Sequence, residues 1–211
     1  MLTVHHLGKS QSERILWLCE ELGIPYEMKK YDRDPNLAPP AMKALHPMGT
    51  APVITDGDLV LGESGAIMEY IIHKHGGGRL ALPPSHPAYA QYLYWFHFGN
   101  ASLQAVMHRF LSVRRLEPAP DHPVFLATKT RVELALKTVD DRLRDVPWLA
   151  GDQLTAADIM MVFPLTTMRY FTPVDLAPYG NIKAYLKRVG EREAYRKAWT
   201  KGDPDLAPLL A

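Results

Sequence analysis

Apolar and polar positions recur along this chain with two different periods, and the change of period divides it in two. Thr3 to Leu7 reads as a short strand. From Ser12 the apolar residues Ile15, Leu18, Cys19 and Leu22 share one face of an amphipathic helix, which Gly23 and Pro25 stop. Tyr26 to Tyr31 alternates as a second strand, so the first two strands are expected to run parallel with a right-handed crossover. After a loop rich in Pro and Asp, Asp32 to Pro40, a short helix is expected over Ala41 to Leu45. Val53 to Thr55 and Leu59 to Leu61 flank Asp56-Gly57, a hairpin turn that adds an antiparallel pair. Ser64 is placed to cap a helix over Gly65 to His75, with Ala66, Ile67, Tyr70 and Ile71 on its inner face.

The sharpest break is Gly76-Gly77-Gly78 followed by Pro83-Pro84 and Pro87, and beyond it the periodic segments are helical. A long helix is expected from Ala88 to about Arg115, with Tyr89, Tyr92, Tyr94, Trp95, Phe96 and Phe98 around most of its circumference. Such a helix needs cover on more than one side, by a core and by a subunit interface. Val124 to Val146 carries the stripe Val132, Leu136, Val139 and Leu143. Leu154 to Asp158 opens another helix, Thr155 as N-cap and Asp158 as the reciprocal acid of a capping box, running to about Tyr170 with a kink at Pro164. Short helices near Asn181 to Val189 and Arg192 to Trp199 complete the pattern. The architecture read from it is an α/β domain of order βαβ-ββα with a mixed four-stranded sheet over residues 1–76, a linker over 77–87 and an all-α domain over 88–211.

Composition narrows the partners. The 211 residues include 24 Lys plus Arg against 23 Asp plus Glu, a net charge of +1, which gives no global attraction to nucleic acid or anionic membranes. No apolar run approaches the roughly 18 residues of a membrane span, and the N-terminus lacks a secretory pattern. Cys19 is the only cysteine, so no disulfide framework is expected and the cytoplasm is the default compartment. It sits in the apolar stripe of the first helix and reads as a core residue. There is no C-x-x-C. His5 and His6 should face opposite sides of the sheet, His73 and His75 are not helix neighbours, and no metal site is expected.

Candidate chemistry lies at two helix starts. A strand, tight loop and helix N-terminus over Thr3 to Leu22 suits a bound anion, because the first helical amides lack partners and carry partial positive charge. Either Ser10 or Ser12 can cap that helix, which leaves the other hydroxyl to donate to the anion. Arg14 reads either as an orienter of this loop or as a solvated arginine of the first turn. At the next helix start the Glu63 carboxylate can take an ammonium, while the Ser64 hydroxyl and nearby amides take a carboxylate. Pro52 opens a strand, and the amide and carbonyl of Val53 after it can pair with an extended ligand.

Ser10 to Arg14, Gly49-Thr50-Ala51-Pro52-Val53, Glu63-Ser64-Gly65-Ala66-Ile67 and Leu154 to Asp158 together resemble, in order, the serine segment, proline loop, glutathione motif and capping box of cytosolic glutathione S-transferases. The runs RILWLCEELGIPYEMKKYDRD and ALHPMGTAPVI are most similar to the theta-like bacterial and fungal kind. The resemblance implies a thioredoxin-like first domain and glutathione as co-substrate, bound by Thr50, Ala51, Pro52, Val53, Glu63 and Ser64, with a cis bond at Pro52. It assigns Ser10 to the glutathione sulfur and leaves Ser12 as the cap. A free thiol has a pKa of about 8.5, so a donated hydrogen bond that favours the thiolate creates the nucleophile. Thr50 departs from relatives that carry a basic or amide residue there, which leaves Lys43 and His46 as candidates for the ligand's glycine carboxylate.

The resemblance further implies a homodimer with a detoxifying role, and an electrophile pocket near Leu7, Asn100, Gln104 and Met107. The implied activity is conjugation of glutathione to a small hydrophobic electrophile, with peroxidase activity as a variant. A non-catalytic binding module on the same fold and a glutathione-dependent disulfide reductase are the alternative readings.

Overall fold

A computed structural model describes residues 1–35 and 37–211, so the part of the Asp32 to Pro40 loop at Asn36 lies outside the described residues. The elements follow the expected order. They are β1 (Leu2–Leu7), α1 (Glu13–Leu22), β2 (Glu27–Tyr31), α2 (Pro40–Lys43), β3 (Val53–Asp56), β4 (Leu59–Gly62) and α3 (Ser64–Lys74). After them come α4 (Tyr89–His97), a π-helical stretch (Phe98–Gln104), α5 (Ala105–Arg114), α6 (Pro123–Asp145), α7 (Ala156–Leu165), a 3-10 turn (Thr167–Tyr170), α8 (Gly180–Gly190) and α9 (Glu193–Gly202). They form two compact units, one of residues 1–81 and 190–208, the other of 82–189 and 209–211. Residues 190–208, grouped by the sequence reading with the helical domain, thus lie in the first unit.

The first unit is a four-stranded mixed sheet of order β2-β1-β3-β4. β1 pairs parallel with β2, Thr3 opposite Glu27 through Leu7 opposite Tyr31, and antiparallel with β3, Leu2 opposite Asp56 through His5 opposite Val53. Val4, Ile54, Ile15, Leu18, Cys19, Ile67 and Ile71 are all buried. On α3 the apolar side chains of the inner face are Ile67, Met68, Ile71 and Ile72, whereas Ala66 is exposed and Tyr70 half-buried, its hydroxyl donating to Asp56 at 3.0 Å. Gly23 ends α1 in the left-handed region at φ 62°, where a residue without Cβ is unstrained, and its amide bonds the Cys19 and Glu20 carbonyls. On the other side of α1 lies α9. Tyr195 meets Trp17 edge to face at 5.1 Å, and the Arg192 guanidinium grips the Glu21 carboxylate through two nitrogens.

In the second unit the long aromatic helix is interrupted. Residues 98–104 widen into π turns at Gly99, where a Cβ would stand 3.2 Å from the backbone of Met160 and Met161. The missing side chain is what lets the wide turn lie against α7. Every residue of α7 is buried, and its start carries the anticipated capping box. Asp158 accepts from the Thr155 amide at 2.8 Å and from the Leu149 amide at 2.9 Å. Pro164 falls in the last turn, so α7 ends at Leu165 and the chain continues to Tyr170 as the 3-10 turn rather than as a kinked α-helix.

Candidate functional site

The loop between β1 and α1 turns sharply, with Lys9 at φ 55°, and it is held from both sides. Arg33 donates from Nε to the Gly8 carbonyl at 2.8 Å and from Nη2 to the Lys9 carbonyl at 2.7 Å. Asp203, just past α9, accepts the Lys9 amide at 3.2 Å. Burial lowers the Arg33 pKa, with Asp203 acting against that shift.

The two serines of this loop differ. Ser12 is 0% exposed and stands at the N-cap position of α1, but its hydroxyl makes no cap bond. It turns back to β1 instead, where Ser12 Oγ accepts the Leu7 amide at 3.2 Å and lies 2.9 Å from His6 Nδ1. The expectation that Ser12 caps the helix by its side chain is corrected: a buried amide donor and a buried ring nitrogen claim the hydroxyl first. Ser10 retains 7% exposure, accepts the Ser12 amide at 3.2 Å and lies 2.7 Å from Ser12 Oγ. Of the two serines, Ser10 is the less enclosed.

Arg14 is also placed differently from a solvated first-turn arginine. It is 1% exposed, and Nη1 donates to Gln11 Oε1 at 2.7 Å and to Ser64 Oγ at 3.3 Å. Burial pulls the guanidinium down to a pKa of about 9, with Glu13 acting the other way. The arginine thus ties the loop before α1 to the start of α3. There Glu63 occupies the N-cap position at φ 66° and ψ 113°, a region costly for a residue with a Cβ, and its side chain is exposed beside buried Ser64.

Ala51–Pro52 is a cis peptide, with Thr50 exposed, Ala51 half-buried and Pro52 buried. Val53 does not offer the edge expected of it. It lies opposite His5 on one side and Gly62 on the other, so the amide and carbonyl, which share one side of an antiparallel strand, already face a neighbouring strand. Ala51, one residue before the proline, lies outside the ladder. Of the two candidates near Thr50, Lys43 is exposed alongside Gly49, and the half-buried His46 ring lies over Gly62.

The residues named for an electrophile separate by burial. Leu7 packs with Tyr31, Ala38 and Met42 in a small buried cluster, and Met107 is fully buried. Gln104 is buried and Asn100 half-buried, both on the π stretch. Cys19 is buried and reduced, and its thiol is pushed up to about 12, chiefly by burial and secondarily by Glu20. Among the described residues no group of three His, Cys, Asp or Glu side chains could hold a metal ion, and no helix is long and apolar enough to cross a membrane.

Sequence reasoning missed Gln11, Arg33, His6 and Asp203. Gln11 had a local signal, a polar residue inside the S-x-S loop; Asp203 is far from the loop in sequence and had none.

The sequence profile of the glutathione S-transferase N-terminal domain matches residues 10–74, and that of the C-terminal domain matches residues 94–193. Glutathione S-transferase 3 of Schizosaccharomyces pombe is 34% identical over 100% of this chain and 92% of its own length. A glutathione S-transferase structure from Actinobacillus pleuropneumoniae superimposes with a TM-score of 0.86 at 35% identity, over 100% of this chain and 99% of that one. A theta-class glutathione S-transferase from Xanthomonas axonopodis pv. citri, solved with glutathione bound, gives a TM-score of 0.73 at 26% identity over 93% and 96% of the two chains.

Proposed function

The chain belongs to the glutathione S-transferase family, and we propose that it binds glutathione across the N-terminal ends of α1 and α3, ionises its thiol and adds the thiolate to a small hydrophobic electrophile. The observation that carries this is the division of labour between the serines. Ser12 is spent inside the fold, whereas Ser10, at the N-terminal end of α1, is the less enclosed of the two residues, 7% exposed against 0%. Donation from Ser10 to sulfur, with the helix field behind it, favours the thiolate.

Glu63 and Ser64 take the γ-glutamyl ammonium and carboxylate, a role consistent with the positive φ at which Glu63 is held. The cysteinyl backbone of glutathione pairs beside Thr50, Ala51 and Pro52, with Ala51 rather than Val53 supplying the open main chain. The protein acts as a cytoplasmic homodimer. Tyr94, 51% exposed, edge to face with Trp95 and tilted against Phe98, supplies an aromatic surface for a second copy.

Calorimetric titration of glutathione, combined with the ultraviolet absorbance of the bound thiolate against pH, tests the reading. Binding with a thiol pKa clearly below about 8.5, lost in Ser10→Ala, supports it. Absence of binding removes it.

A further inference from the structure

Behind Ser10 runs a buried line of polar atoms that thiol ionisation by a lone serine does not need. Ser10 Oγ lies 2.7 Å from Ser12 Oγ, Ser12 Oγ 2.9 Å from His6 Nδ1, and His6 Nε2 3.3 Å from Asp203 Oδ2. Ser12 and His6 are 0% exposed, and Asp203 is 8% exposed. The imidazole comes within ion-pair distance of the carboxylate, and its Nε2 makes no aligned hydrogen bond among the described residues. Gly202 permits this approach: a Cβ there would stand 2.9 Å from His6 Nε2. All five residues belong to the first compact unit.

We propose that this line is a proton relay, in which the thiol proton of bound glutathione is taken up by His6 through the Ser10 and Ser12 hydroxyls, with Asp203 holding the imidazole and its charge. This rests on the reading of Ser10 as the group that meets the sulfur. In the resting arrangement Ser10 donates to Ser12, Ser12 donates to His6 Nδ1, and His6 Nε2–H faces the Asp203 carboxylate. On ionisation the S–H bond breaks and its proton joins Ser10 Oγ, the Ser10 proton passes to Ser12 Oγ, and the Ser12 proton passes to His6 Nδ1. Three bonds to hydrogen break and three form, and no electron pair leaves its atom. The chain of donors has then reversed. His6 donates to Ser12, Ser12 to Ser10, and Ser10 outward to the thiolate, which is the direction that stabilises sulfur as the anion.

The fixed contacts fit both directions, because the Leu7 amide donates to Ser12 Oγ and the Ser12 amide donates to Ser10 Oγ in either state, while the Leu7 carbonyl, the other acceptor for the Ser12 proton, lies farther off at 3.3 Å than His6 Nδ1 at 2.9 Å. The charged groups around the pair are Asp203, Lys30 opposite His6 on β2, and Arg33 in the loop beyond β2. Burial acts to raise the Asp203 carboxyl, but His6, the Lys9 amide and Lys30 together hold it below its ordinary value, so it stays anionic to face the imidazolium. His6 acts through two hydroxyls and is a positioning residue in that sense. Its signature is the fate of a proton.

The test counts protons. Calorimetry of glutathione binding in buffers of different ionisation enthalpy gives the protons released to solvent, and thiolate absorbance gives the thiolate formed. With the relay, about one proton per thiolate stays in the protein, so release falls short of thiolate by that amount. In His6→Gln the two quantities become equal, and the thiolate fraction at pH 6.5 drops about tenfold, as for one unit of thiol pKa. Asp203→Asn is expected to move both readouts the same way with the imidazole still present. Thiolate with equal proton release in the unaltered protein overturns the relay and leaves the Ser10 reading standing, whether or not either variant folds. No thiolate at all overturns both.

Discussion

The guanidinium of Arg14 donates to the hydroxyl of Ser64 across 3.3 Å, joining the first turn of α1 to the first turn of α3 from inside the fold. The same group bonds Gln11 at 2.7 Å, so one buried cation braces both helix starts proposed to bind glutathione. Replacing it leaves Gln11 and Ser64 short of a donor and opens a cavity. Arg14→Ala is expected to lose about 2–4 kcal/mol in urea unfolding and to weaken glutathione binding. Arg14→Lys recovers little of either, since a single ammonium cannot reproduce the planar fork. Glutathione affinity equal to that of the unaltered protein would separate this bridge from the binding site.

The two serines should respond differently to alanine. Ser10→Ala takes one acceptor from the buried Ser12 amide, a cost of about 1 kcal/mol, while the bound thiol pKa returns toward about 8.5 and turnover falls. Ser12→Ala takes the acceptor from the Leu7 amide and the partner from His6 Nδ1, both buried, and is expected to cost about 1–3 kcal/mol. Thermal unfolding beside a thiolate titration reads both. Equal destabilisation by the two variants would contradict the assignment.

Glu63 is held in a strained backbone conformation. It holds φ 66° with a Cβ present, strain that glycine relieves. Glu63→Gly is expected to unfold at a similar or higher denaturant concentration, a gain of up to about 1 kcal/mol, while glutathione binds more weakly for want of the carboxylate. A loss of stability comparable to that of a buried-residue variant would show that the side chain serves the fold instead.

Asp203 gives the first unit a defined response to acid. Burial works to raise its carboxyl, but His6 and the Lys9 amide prevail and hold it below the ordinary aspartate value. A carboxyl depressed in the fold stabilises it above the unfolded-state pKa, and that contribution disappears as pH falls through the folded value. The stability difference between the unaltered protein and Asp203→Asn should therefore be constant near neutrality and shrink below about pH 4. Urea midpoints from pH 3 to 7 give the answer, and a difference that grows on acidification would reverse the sign of the argument.

Local pattern was sufficient for most of the architecture. The i, i+3, i+4, i+7 spacing from Ile15 to Leu22, the Asp56-Gly57 turn and the Thr155–Asp158 capping box each concern residues that meet within one turn or hairpin, and all three stand in the structure. The pattern did less well where a distant backbone decides local geometry. The π turns at Gly99 answer to α7, which lies more than fifty residues further along, and the grouping of α9 with the sheet rests on its packing against α1.

Within the candidate site, Ser10, Glu63 and Ser64 were legible because helix starts and anion-binding residues coincide in sequence. Val53 was misread because its spare hydrogen-bonding capacity depends on two neighbouring strands, and the two readings of Arg14 stayed open because burial is not a local property.

The sequence by itself determined the elements, their order and the two helix starts where an anion can sit, since those follow from periodicity, turn chemistry and caps. Only the tertiary structure decided which serine is the more enclosed and what stands behind it. His6, Ser12 and Asp203 come from a strand, a loop and the end of the last helix, and no spacing along the chain encodes that β1 and the end of α9 converge on one buried imidazole.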